Sequence, residues 1–304
     1  MKLRALSALA LIVIVPTTAC SAPTTPTPQS ASPNDNSDPA LWVVKDKDTT
    51  IYLFGTVHLL KPGLSWFDEA VKDAFDKSDT LVTEIPDGNE AAMAPLMMKY
   101  AVAADGKKIS DRLSAEQKQR YDAAMSKLGL PTAQFEIFDP WFPMIAIAMG
   151  QYTKAGMNPD SGAEKILYKA ARDAGKKQEA LETAEQQFGW LGSIPQTEQV
   201  EGLISAVDKG DSEALAFVDK MTAAWNAGDA DALAKIINED WDTTPETRRI
   251  MLSDRNARWA DWIKTRMDKP GTVFIAVGAG HLAGDDSVQS LLAKRKIKVK
   301  RVAY

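Results

Sequence analysis

The chain has 304 residues, 45% of them apolar and 25% charged, with a formal net charge of -5. That is the make-up of a globular protein and excludes a disordered, collagen-like or repeat-dominated chain. Cys20 is the sole cysteine, so the chain can form neither an internal disulfide nor a zinc site of several thiolates, and the mild acidity argues against nucleic acid as a partner.

Lys2 and Arg4 precede an apolar run, Ala5 to Val15, that is too short to cross a bilayer, which needs about 20 residues. Residues 1–19 therefore read as a secretory signal peptide. It ends at Thr17-Thr18-Ala19-Cys20, similar to a bacterial lipoprotein cleavage box, although Thr17 stands where Leu or Val is usual. The expectation is export, with a lipid on Cys20 tethering the protein to the periplasmic face of a bacterial membrane, or secretion if Cys20 carries none. Residues 20–39 are dominated by Ser, Thr, Pro, Ala, Asn and Asp without apolar periodicity, and read as a flexible tether. One folded domain is expected over 40–304.

Within it, Leu41–Val44 and Ile51–Gly55 flank a polar stretch and predict a hairpin. Ala70, Val71, Ala74 and Phe75 form the apolar stripe of a helix over 67–76, and Thr80 to Ile85 is a strand stopped by Pro86. Strand, helix, strand favours an α/β layer with a parallel pair. From Glu90 to Met267 the period is mostly helical, with capping signals at Ser114 and Thr244 and breakers at Gly129, Pro131, Pro140 and Pro159. Ala180-Leu181-Glu182 is a candidate strand, and Thr272 to Val277 is an unbroken apolar strand of the kind buried on both faces. A helix over 287–293 and a final strand over 297–302 close the chain, with Lys294 to Arg301 as a solvated basic face. The aromatic group Phe138 to Phe142 reads as packing. The fold class is α/β (α+β): a mixed central sheet from the N- and C-terminal segments around a largely helical middle.

Two distant segments share one pattern. Ile51 to Leu59 and Phe274 to Leu282 are each an apolar strand, then Gly, two residues, His and Leu, and they contain the chain's two histidines, His58 and His281. Glycine at a strand end permits a tight turn and close backbone approach, presenting each histidine beyond the sheet edge where α/β proteins place their sites. Two imidazoles and a carboxylate suit a divalent ion, and Glu84, at the end of an apolar strand, is the carboxylate. The bland alternatives are structural histidines and a solvent-facing glutamate. Asp285 and Asp286 read as the N-terminal residues of the following helix.

These elements, with Leu181 to Gln186 and Arg255-Asn256, resemble the TraB/GumN family, whose animal relatives include the Tiki metalloproteases that act on Wnt. The resemblance covers 41–304. It implies a fold related to the erythromycin esterase and ChaN-like group, and it implies that His58, Glu84 and His281 are site positions, with Arg255 a further candidate. Arg255 would stabilise a developing oxyanion, or else pair with a neighbouring acid; Glu182 is a weaker candidate, equally readable as a helix cap.

The function expected is a metal-dependent hydrolase in which His58, His281 and Glu84 hold manganese, cobalt or zinc, and Glu84 ligates or deprotonates the bound water. The resemblance suggests a peptide substrate; a small molecule is the other option. Two alternatives remain: a non-haem iron oxygenase, and a non-catalytic envelope lipoprotein that binds peptide or glycan.

Overall fold

The computed structural model describes residues 37–88, 90–241 and 244–304. Cys20 and the expected signal peptide lie outside them, as does most of the expected tether. Ser37, Asp38 and Pro39, assigned to the tether, belong to the folded body: Ser37 is buried and its amide donates to Ser65 O, and the Asp38 amide donates to Asn226 O.

Six strands form one mixed sheet: β1 (Leu41–Lys45), β2 (Thr49–Thr56), β3 (Thr80–Thr83), β4 (Lys177–Ala180), β5 (Gly271–Gly278) and β6 (Val299–Arg301). Their order is β4-β3-β5-β2-β1-β6. β1 and β2 are the expected antiparallel hairpin, and β6 pairs antiparallel with the other edge of β1. β4, β3, β5 and β2 run parallel. The expected pairing of β2 with β3 is replaced by an insertion, since β5 lies between them and pairs with both.

The burial of β5 follows from its sequence. Val273, Ile275 and Val277 pack on one face with Trp259, Ala260 and Ile263 of helix Asp254–Arg266 and with Leu292 of helix Val288–Lys294. Phe274 and Ala276 face the other way, into the larger core built by the helical middle. A strand covered on both faces has no polar side to display, so its apolar run is continuous.

The helical middle breaks where the sequence places its punctuation. Ser114 caps helix Ala115–Lys127 through the expected reciprocal box with Gln117, whereas Thr244 makes no side-chain cap. The buried carboxylate of Glu198 supplies that cap instead, accepting from the amides of Glu246 at 3.1 Å and Thr247 at 2.7 Å. Phe138 and Phe142 pack at a tilt with centroids 4.4 Å apart, Phe138 in the core and Phe142 against it, as packing residues do.

Candidate active site

Because β2, β3, β4 and β5 are parallel, their C-terminal ends share one edge, and the chemistry gathers there. His58 follows β2, Glu84 follows β3 directly, Glu182 follows β4 and His281 follows β5. β3 stops at Thr83, earlier than expected, which frees Glu84 from the ladder. The amide of Glu182 donates to Glu84 O at 2.8 Å, setting these two acids side by side.

The glycines of the paired motifs act through close approach. Neither has a positive φ. A Cβ on Gly55 would lie 3.0 Å from Ala279 Cα, so the two motif turns are in contact; one on Gly278 would lie 3.2 Å from Glu84 Oε1.

Arg255 is the hub. It is fully buried at the start of helix Asp254–Arg266, directly after a π-helical turn over Arg249–Ser253, a local widening that recurs at functional sites. Its Nη1 donates to Met251 O at 3.0 Å, its Nε to Glu182 Oε1 at 3.1 Å, and its Nη2 to Glu182 Oε2 at 2.8 Å and Glu84 Oε2 at 2.5 Å. Trp259 lies under the guanidinium, 4.9 Å from ring centroid to Cζ, and its Nε1 donates to Glu182 Oε1 at 2.7 Å. Both readings of Arg255 therefore meet: it pairs with acids, and it sits against the site. Burial alone would push the Glu84 carboxyl up. The Arg255 guanidinium, the histidines and the Gly278 amide, which donates to Oε1 at 2.8 Å, outweigh it and hold Glu84 below the usual carboxylate range. Burial pushes Glu182 the other way, above its ordinary value, against the pull of Arg255.

His281 is neutral, and its tautomer follows from its partners. Asn256 Nδ2 donates to Asp286 O at 2.9 Å, which turns Asn256 Oδ1 toward His281 Nδ1 at 2.5 Å. Nδ1 therefore carries the proton, and Nε2 presents a lone pair. That lone pair faces Arg255 Nη1 at 3.2 Å and lies 3.8 Å from Glu84 Oε1. Burial and the adjacent guanidinium push the imidazole down to about 3.

His58 sits at the same edge, close enough that its imidazole, when protonated, acts on Glu84 and His281. Its Nδ1 is 2.8 Å from Glu164 Oε1, both side chains being less than a tenth exposed. Burial would raise the Glu164 carboxyl, and His58 overcomes this and lowers it. Gly162 makes the pair possible: a Cβ there would stand 2.2 Å from His58 O, and the next amide, of Ala163, donates to Val57 O. The helix carrying Glu164, Ala163–Asp173, thus starts hard against the first motif.

The donor types, two imidazoles and an ionised carboxylate, are ones a divalent ion takes, but among the described residues no group of three or more His, Cys, Asp or Glu is placed so that it could hold one. Arg255 stands on the lone pair of His281, and Nδ1 of His58 is engaged by Glu164.

Of the residues singled out in the sequence, Glu84, Arg255 and His281 are brought into contact, with Glu182 paired to the same guanidinium, and His58 lies at the same sheet edge. Asp286, read as a helix N-terminal residue, accepts from Arg248 and Ser253 and carries the carbonyl that orients Asn256. Glu164 and Gln187 were missed. Gln187 is buried and its Nε2 donates to Glu84 Oε2 at 3.0 Å.

A sequence model described as the TraB/PrgY/gumN family matches residues 40–301. An uncharacterized protein of Treponema pallidum is 20% identical over 84% of this chain and 80% of its own length. The uncharacterized protein YbaP of Escherichia coli is 23% identical over 84% of this chain and 92% of its own length. No solved structure matches the chain, so the comparison with erythromycin esterase and ChaN-like folds stays an implication of the sequence.

Proposed function

We propose that this chain, which belongs to the TraB/PrgY/gumN family, is a hydrolase of carbonyl compounds whose reacting centre is the buried cluster of His58, Glu84, Arg255 and His281. One observation carries the reading: both motif histidines and Glu84 lie at one sheet edge, with Glu84 Oε1 and His281 Nε2 3.8 Å apart and a guanidinium against both.

Each group has a role suited to its environment. His58, backed by the Glu164 carboxylate, takes a proton from the attacking water and passes it to the leaving group, since a carboxylate on one ring nitrogen stabilises the imidazolium formed at the other. Arg255 places fixed positive charge where the oxyanion develops. Glu84 has a lowered pKa and is therefore a weak base; it anchors Arg255 and does not deprotonate the water. In an ion-dependent form His58, Glu84 and His281 would instead be the ligands of manganese, cobalt or zinc, His58 would no longer serve as the base, and Arg255 would have to leave His281 Nε2; such an ion, when bound, would polarise a carbonyl oxygen and lower the pKa of water. The ion-free form is favoured by the contact of Arg255 with His281 Nε2. A peptide substrate rests on the resemblance to Tiki, and export with a lipid on Cys20 rests on the leader.

The test is turnover of fluorogenic peptides and acyl esters by the purified protein, with chelator or with added manganese, cobalt or zinc. His58→Ala, Glu84→Ala and His281→Ala should each lower kcat/KM by about 100-fold or more. Restoration by a metal after chelation selects the ion-dependent form; activity unchanged by chelator selects the ion-free one. A folded parent that binds peptide or glycan and hydrolyses nothing would be a binding protein, and the proposal would be wrong.

A further inference from the structure

Gln187 lies near the start of helix Ala184–Ser193 and is 1% exposed. Its side chain is not spent on the helix end, because Thr183 and Gln186 cap that end reciprocally and the Gln187 amide already donates to Thr183 O. Its Nε2 donates to Glu84 Oε2. A carboxylate only accepts, so the carboxamide cannot be reversed, and Oε1 must face away from Glu84. That oxygen is buried and has no hydrogen-bond partner among the described residues. Leaving such an acceptor dry forfeits its hydration, and native proteins seldom tolerate it without a ligand or water.

The neighbouring donors are already engaged. Arg255 is committed to Met251, Glu182, Glu84 and His281, Trp259 Nε1 to Glu182, and the Gly278 amide to Glu84. What this wall offers to an incoming molecule is one unmet acceptor, Gln187 Oε1. With His58 as the second acceptor, the complement is a small molecule with two O–H donors.

Resting on the hydrolytic reading of the cluster, we infer that Gln187 is a further residue of the reacting centre, its Oε1 accepting a hydrogen bond from the water that hydrolysis consumes. The water oxygen bonds to the carbonyl carbon. One of its protons passes to His58 and then to the leaving group as the carbonyl-to-leaving-group bond breaks. The other, held by Gln187, stays on the oxygen and leaves with the acid product.

Two measurements test this, one independent of turnover. A high-resolution crystal structure of the parent should show an ordered water within hydrogen-bond distance of Gln187 Oε1, and Gln187→Met should lose it. In kinetics, Gln187→Met should lower kcat by about 100-fold with KM changed less than about threefold, the loss that misplacement of a reactant produces. Gln187→Lys retains a donor for Glu84 but no acceptor, and should be as slow as Gln187→Met; thermal melting checks that both fold. An Oε1 facing only carbon, an active Gln187→Met, or full recovery in Gln187→Lys, which would reduce Gln187 to an anchor for Glu84, each overturns the inference while the hydrolytic reading survives. A parent that hydrolyses nothing removes both.

Discussion

His281 Nε2 holds its lone pair inward because Asn256 fixes the other nitrogen, and the cost of that arrangement is visible in acid. An unfolded histidine takes a proton as pH falls below about 6.5. The buried one resists protonation until about 3, because burial and Arg255 both oppose the imidazolium. Above the unfolded value both states are neutral and the ring contributes nothing; between the two values the unfolded chain binds the extra proton, so folding weakens by about 1.4 kcal/mol per pH unit. Urea unfolding with chelator present, compared at pH 6.5 and 5, should therefore give His281→Gln a shallower loss of stability than the parent by about one proton. Equal slopes would mean that the ring titrates normally in the folded protein. The histidines and Glu84 were legible because strand ends and a repeated motif announce them. Glu164 was not, since an acid beside Ala163 and Lys165 in a helical stretch looks like any solvated face until Gly162 brings that helix onto His58. Gln187 was hidden for the same reason: its contact is with Glu84 on a distant strand, and no local pattern records that.

At the scale of elements, the paired motifs predicted where the chain would leave the sheet, and of the two roles expected of their glycines, tight turn and close backbone approach, the structure shows the second. Both belong to extended strand ends, and contact across the sheet is what excludes a side chain. The two substitutions should separate. Gly55→Ala drives a methyl into the backbone of Ala279 and should cost about 1–3 kcal/mol, read as a lower denaturant midpoint. Gly278→Ala presses on the Glu84 carboxylate, so kcat/KM should fall by about 10-fold or more with a smaller change in midpoint. Full hydrolysis by Gly278→Ala would remove Glu84 from the reacting centre. The early end of β3 is equally a matter of contact: nothing in Thr80 to Ile85 says that pairing with β5 stops at Thr83, where the Glu84 carboxylate, and not its main chain, takes the Gly278 amide.

Across the whole molecule, the composition and the order of apolar runs specified a mixed sheet and a helical middle, while the placing of β5 between β2 and β3 depended on segments too far apart to read together. The last strand is a seal on the far edge. Val302 N donates to Leu41 O, Tyr304 Oη donates to Pro39 O at 2.6 Å, and Arg301 lies over Trp42. Ending the chain at Lys296 would bare β1, so the melting temperature should drop by several degrees and aggregation should rise. Because two strands, β2 and β1, separate β6 from β5, turnover per folded molecule should stay within about twofold of the parent; its collapse in a folded truncate would show that the edge strand shapes the site. The interior position of β5 has a temporal corollary. Until that segment is synthesised, β2 and β3 have no common neighbour, and the edge that carries His58 and Glu84 is not assembled. On the hydrolytic reading, a nascent polypeptide is consequently inert until β5 has emerged, and competence arrives in one step.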